Sequence, residues 1–199
     1  MTVMARPPFP ARKPRKPPAE PTESLLHEAA MAHLARYGAT QAGVIRVLDR
    51  KIARWAASVT DAAEQVTAAR ATARAIVARL AASGAVNDAE FAASRARSLQ
   101  RAGKSSRAIG AHLSSRGVSR ELAEENVPED ADRELAAAVI HMRKRRLGPF
   151  RTAVEKPETR RRELANLARA GFAHGVAAHA LKLSQDEADA LIIAFRAEL

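Results

Sequence analysis

Apolar side chains recur along most of the chain at the three- and four-residue spacing of amphipathic helices, with polar residues between them. Leu26 to Gly38, LHEAAMAHLARYG, and Phe91 to Gly103, FAASRARSLQRAG, each open on an apolar residue, carry Leu34 or Leu99 at the same place, and close on Gly. The offset between them is 65 residues, and it also carries Thr40, Val44 and Leu48 onto Ser105, Ile109 and Leu113. An N-cap candidate is thus followed in both copies by the same apolar spacing, which predicts a second helix after the first. A third copy emerges when Leu113, Gly117 and Val118 are laid over Leu167, Gly171 and Phe172. Both glycines read as helix-terminating residues in the left-handed conformation, and each precedes a short helical stretch, Ser119 to Asn126 and Ala173 to Leu181. The first copy lacks the closing Gly that recurs in the others. Its second helix is therefore expected to continue to about Ser58, with a third capped by Asp61 and running to Ser83.

The pattern predicts an all-α protein with three tandem three-helix repeats, over residues 22–84, 85–127 and 128–183. Units this small must lean on their neighbours, so an elongated, curved body is expected rather than a globe. Ahead of them, residues 1–21 alternate Pro with Arg and Lys and read as a disordered basic arm. Behind them, residues 184–199, SQDEADALIIAFRAEL, read as an extra C-terminal helix capped by Ser184, with Leu191, Ile192 and Phe195 as its packing stripe.

Composition narrows the function. Aromatic residues are 4% of the chain and cysteine is absent, which excludes disulfides, thiol catalysis and Cys-ligated metal. No secretory signal or membrane-length apolar run is present, so a soluble, cytoplasmic monomer is expected. The formal net charge of +11 draws the protein toward polyanions or acidic proteins. By segment the charge runs +4, +3, +2, +5 and −3, so the excess peaks in the arm and the third repeat.

No catalytic constellation accompanies that charge: there is no phosphate loop, metalloprotease pair or nucleophile elbow, and the chain reads as a non-enzyme without cofactor or metal. The six histidines lack ligand spacing, and Asp88 with Glu90 fits helix capping. What remains is arginine. In RKRRLGPFR the cations Arg143, Lys144, Arg145 and Arg146 close a helix begun near Asp130, which Gly-Pro then halts before Arg151. Helix-end carbonyls account for some of these, but four consecutive cations point all round an axis. Arg160, Arg161 and Arg162 open the next helix, where the dipole disfavours cations, so recognition is the stronger reading there. Arg95, Arg97, Arg101, Lys104 and Arg107 form a third basic set. With few aromatics, most of them at positions that look buried, base stacking is not expected.

Residues 84–119, GAVNDAEFAASRARSLQRAGKSSRAIGAHLSSRGVS, resemble the middle repeat of the RecX family: a Gly-apolar-x-Asp opening, Phe-Ala, a basic helix, a Gly-Lys/Ser turn, an Ile-x-x-x-Leu helix and a closing Gly-apolar pair. LGPFR and ELANLARAGF resemble its third repeat. The likeness covers about residues 24–183; the first repeat is looser, and the arm and final helix lie outside it. The resemblance implies a regulator, mainly an inhibitor, of the RecA recombinase. Such proteins lodge in the groove of the RecA–DNA filament and restrain ATP hydrolysis, strand exchange and co-protease action. It makes the RecA filament the expected partner and the thirteen basic residues named above the expected contacts, with single- or double-stranded DNA as a possible further contact. An autonomous DNA-binding protein of nucleoid-associated or helix-turn-helix type is the competing reading, motivated by charge and by the Ser-capped middle helix SSRAIGAHLSSRG of the second unit.

Overall fold

The computed structural model describes residues 18–127, 130–152 and 156–197. Most of the expected basic arm therefore lies outside the described residues. Those described are helical without strands: α1 (Glu23–Leu34), α2 (Gln41–Ala56) and α3 (Ala63–Ala82); α4 (Asp88–Arg101), α5 (Ser106–Ser115) and α6 (Arg120–Asn126); α7 (Ala131–Arg145), a 3-10 turn over Gly148–Phe150, α8 (Pro157–Arg169) and α9 (His174–Ala180); and α10 (Gln185–Ala197). No helix among them is long and apolar enough to cross a membrane.

Local side chains set most of the boundaries. Thr22, Thr40, Asn87, Ser105, Ser119 and Asp130 each accept a backbone N–H from the first turn of the helix they precede, satisfying donors the helix cannot. At α10, Ser184 and Glu187 close a reciprocal capping box: the Glu187 N–H donates to Ser184 Oγ and the Ser184 N–H to Glu187 Oε2. Those Ser184 bonds hold the Glu187 carboxyl below the usual carboxylate range. Two expected boundaries differ. Asp61 does not cap α3; it takes a left-handed turn (φ 57°), as Asp tolerates, and α3 starts at Ala63 without a side-chain cap. The basic helix α7 stops ahead of Gly-Pro, because Arg146 itself adopts the left-handed conformation (φ 55°) and the Leu147 N–H returns to the Met142 carbonyl.

Among the described residues there are three cores rather than one. Leu26, Val44, Leu48, Ile52, Ile76 and Val77 fill the first. Ala92, Ala96, Ile109, Leu113, Val118 and Ala123 fill the second. The third gathers Val139, Ile140, Met142, Leu167 and Phe172, and α10 extends it with Ala188, Ile192 and Phe195. The middle core is the poorest in large side chains. At about 1.5–3 kcal/mol per buried Leu or Ile, it depends most on its junctions.

Those junctions repeat. Thr40 Oγ1 donates to the Arg116 carbonyl (2.6 Å), joining the first unit to the second. Ser105 Oγ donates to the Ala170 carbonyl (2.7 Å), joining the second to the third. An acid from the following unit accepts the next backbone N–H in each case: Asp88 from Gln41 (2.8 Å) and Glu134 from Ser106 (2.9 Å). The N-cap hydroxyls of α2 and α5 thus also cap the C-terminus of the next unit's middle helix, so the end of α8 meets the start of α5 and the end of α5 the start of α2. Gly117 and Gly171 sit at the contacts with φ of 85° and 96°; an added Cβ would lie 2.3 Å from Ala42 Cβ or 2.5 Å from Ser105 Oγ. Glycine is required there by conformation and by space.

Candidate basic interface and inter-repeat cleft

The fold divides the thirteen expected contact residues into those it engages and those it leaves at the surface. Arg151 is turned inward: its side chain is 14% exposed and forks onto Glu163, itself buried, at 2.8 and 3.2 Å. The Gly148 N–H donates to the same carboxylate (3.0 Å), so this pair fastens the 3-10 turn to α8. Arg143 pairs with Asp189 of α10 (3.2 Å). Lys144 Nζ donates to the Ala102 carbonyl (2.7 Å), capping the end of α4 from across the junction. Arg95 Nε donates to His112 Nε2 (3.0 Å) between α4 and α5.

Arg97, Arg101, Lys104, Arg107, Arg145, Arg146, Arg161 and Arg162 are exposed, and Arg160 is half-buried in the first turn of α8. Two groupings result. The Lys144 bond sets the end of α7 beside Arg101 and Lys104 at the second junction. Glu163, by binding Arg151 and Gly148, sets the start of α8 beside the end of the RKRRLGPFR stretch.

A further concentration of arginine lies elsewhere. A cleft of about 620 Å³ opens between the first and second units, lined by Arg36, Arg46, Arg50, Arg95 and Arg116 together with His33 and Tyr37. A second hollow of about 440 Å³ continues it past Phe91 and Ser94 and shares Tyr37, Gly38, Ala39, Phe91 and Arg95 with it. Among the described residues none of the five guanidinium groups is ion-paired. Backbone oxygens hold two of them: Arg36 Nε donates to the Ala32 carbonyl and Arg46 Nη2 to the Arg116 carbonyl, each at 3.0 Å. Partial burial, then the neighbouring Arg95 and Arg116 charges, hold His112 below the ordinary imidazole pKa, so it accepts from Arg95 as the neutral ring. Tyr37 is 61% exposed, unlike the other described aromatics, which are buried or half-buried, and its ring lies 5.4 Å from that of His33.

Of the cleft residues only Arg95 is among the thirteen. Arg46 and Arg50 stand four apart on one face of α2, a signal the sequence does carry, but Arg36 and Arg116 reach them only through the junction.

Residues 87–125 match the family model described as RecX, second three-helix domain. The chain is 40% identical over 166 residues to "Regulatory protein RecX" of Myxococcus xanthus (strain DK1622), covering 81% of this chain and 87% of that one. It is 35% identical over 108 residues to the protein of the same name from Agrobacterium fabrum (strain C58), covering 54% of this chain and 58% of that one. A structure titled "Crystal structure of RecX from Lactobacillus salivarius" superposes with a TM-score of 0.57 at 17% identity, over 84% of this chain and 97% of that chain; it is evidence of a shared fold.

Proposed function

The chain belongs to the RecX family, and on that footing we propose that it regulates the RecA recombinase, lodging as a cytoplasmic monomer in the groove of the RecA–DNA filament and restraining ATP hydrolysis, strand exchange and co-protease action. The observation that carries the reading is the repeated junction. By fixing each unit to the next through the same pair of hydrogen bonds, it strings three small cores into a series. A series of this kind spans several protomers of a helical partner, where a globe of equal mass touches one or two.

Of the basic residues, Arg97, Arg101, Lys104, Arg107, Arg145, Arg146, Arg161 and Arg162 are the contacts this reading assigns to acidic groove side chains or phosphate, with Arg160 beside them. Bidentate pairing would supply orientation as well as attraction. Arg143, Lys144 and Arg151 have their geometry set by Asp189, the Ala102 carbonyl and Glu163, and they shape the surface rather than grip the partner.

Mixing the protein with RecA, ATP and single-stranded DNA should depress ATP turnover, and the protein should co-sediment with the filament. Unchanged turnover at saturating protein would count decisively against the proposal. Reversing Arg160, Arg161 and Arg162 to Glu should weaken co-sedimentation while leaving helicity and thermal midpoint nearly unchanged.

A further inference from the structure

We propose that the cleft between the first and second units is a binding site for single-stranded nucleic acid, with a backbone phosphate held among Arg36, Arg46, Arg50, Arg95 and Arg116 and an unpaired base laid on Tyr37. The proposal goes beyond filament regulation, since it asks for no recombinase.

Three observations converge on it. The first is charge in a confined place. Five guanidinium groups line one hollow, and Glu90, at the far end of the adjoining hollow, is the carboxylate among the lining residues. Low-dielectric walls concentrate the field of like charges, and the charges repel one another until an anion enters. Ion pairing does not account for them: among the described residues none has a carboxylate partner, whereas Arg143 and Arg151 do.

The second is preorganisation. The bonds from Arg36 to the Ala32 carbonyl, from Arg46 to the Arg116 carbonyl and from Arg95 to His112 each use one edge of a guanidinium group. The other N–H donors of each fork remain for a ligand, and their positions are set before it arrives. Gly38 and Gly43 also line the hollow.

The third observation chooses the ligand. Tyr37 is largely exposed, has the His33 ring 5.4 Å away, and lines the same hollow as the arginines and Phe91. Phosphate-binding arginines beside an uncovered aromatic ring are the pairing that single strands require, whereas a duplex keeps its bases stacked inside. The two hollows, about 620 and 440 Å³, lie within the range of roughly 300–1,000 Å³ that ligand pockets occupy, which suits a short run of nucleotides and not the breadth of a duplex. An acidic peptide would use the arginines but leave the tyrosine ring without a role.

The test measures anisotropy of a fluorescein-labelled oligothymidylate with the full chain alone, across a salt series. Tyr37→Ala should weaken binding by about 5- to 150-fold, the range measured for loss of one base-stacking ring. Arg46→Ala/Arg50→Ala should flatten the plot of log affinity against log salt by about 1.4, since each phosphate contact on a single strand contributes roughly 0.7. Arg74→Ala/Arg169→Ala removes equal charge from exposed positions outside the cleft and should leave the Tyr37-dependent part of the affinity intact. Photocrosslinking to an iododeoxyuridine-substituted strand should label Tyr37. Equal loss in the control pair and the cleft pair, crosslinks confined to other segments, or displacement of the strand by polyglutamate or ATP at matched charge would each overturn the proposal. Because Tyr37 and Arg50 make no contact that the fold needs, those variants remain informative if Arg46→Ala perturbs the junction. Failure here with RecA inhibition intact would remove the cleft site alone, and the reverse result would remove the filament reading alone.

Discussion

The two junctions between repeats are built on one plan and finished differently. Both join an N-cap hydroxyl to the last carbonyl of the next unit's middle helix, and both add a carboxylate on the following N–H. At the second junction the space beside these bonds is filled. Gly103 packs against Ile140, where a Cβ would lie 2.6 Å from the Cγ2 atom, and Lys144 seals the Ala102 carbonyl. At the first junction Gly38, the counterpart of Gly103 in the repeat, meets only Phe91, with its Cδ2 atom 3.9 Å from an added Cβ, and the place corresponding to Ala102 holds the exposed Tyr37. The hydrogen-bonded plan therefore specifies the angle between units, and the residues around it decide whether a junction closes or keeps a cleft. Closure follows from small residues and one lysine, openness from an aromatic ring and like charges that exclude one another.

The largest difference should come from removing the pair that braces the closed end. Arg151→Ala leaves the buried Glu163 carboxylate without its guanidinium, which costs about 3–5 kcal/mol. Arg50→Ala in the open cleft should be near neutral for folding. Urea denaturation of both would equate the two arginines if their costs matched.

Next in size is glycine. Gly103→Ala demands a left-handed residue (φ 70°) and a collision with Ile140, together costing about 2–4 kcal/mol. Gly38→Ala should cost less than about 1 kcal/mol, because nothing crowds the site. Equal destabilisation would mean that the first junction is as closed as the second.

How much of this was legible in the sequence follows from where each signal resides. Caps and terminal glycines are side-chain signals local to one helix, so the repeat, the helix starts at Thr40, Ser105 and Ser119, and the stops at Gly117 and Gly171 could be read directly. The junction could not, because its acceptors are the backbone carbonyls of Arg116 and Ala170, atoms every residue has. The runs RKRR and TRRR drew attention by density, yet Arg143 and Lys144 turned out to hold α10 and α4, and Arg151, after them, to hold α8. The cleft arginines come from four places along the chain, and each alone reads as ordinary helix surface. Only the stacking of units brings them together.

Thr40→Ala and Ser105→Ala should each cost about 1–2 kcal/mol, since either loses a helix cap and an inter-unit bond at once. Ser105→Ala should fall at the upper end because it also releases the middle unit, whose core is the smallest, from the third. Thermal melts followed by helicity would then separate into two steps for Ser105→Ala before they do so for Thr40→Ala.

The smallest effect concerns pH and touches only the open junction. His112 binds its proton less readily in the folded chain than in the unfolded one, because of partial burial first and then the Arg95 and Arg116 charges. The unfolded chain therefore holds more protons as pH falls below the ordinary value of 6.5, and stability present above that value is lost as pH drops toward the folded pKa. Protonation also removes the acceptor for Arg95 Nε–H and adds a sixth cation at the cleft wall. Asn166 holds the place of His112 in the third unit, and its side chain meets His141 at 2.9 Å. His112→Asn places the third unit's residue there and removes the titrating ring. Between about pH 7.5 and about pH 5 the wild-type chain should lose more of its unfolding free energy than His112→Asn, and parallel pH profiles would show that His112 does not carry this pH dependence.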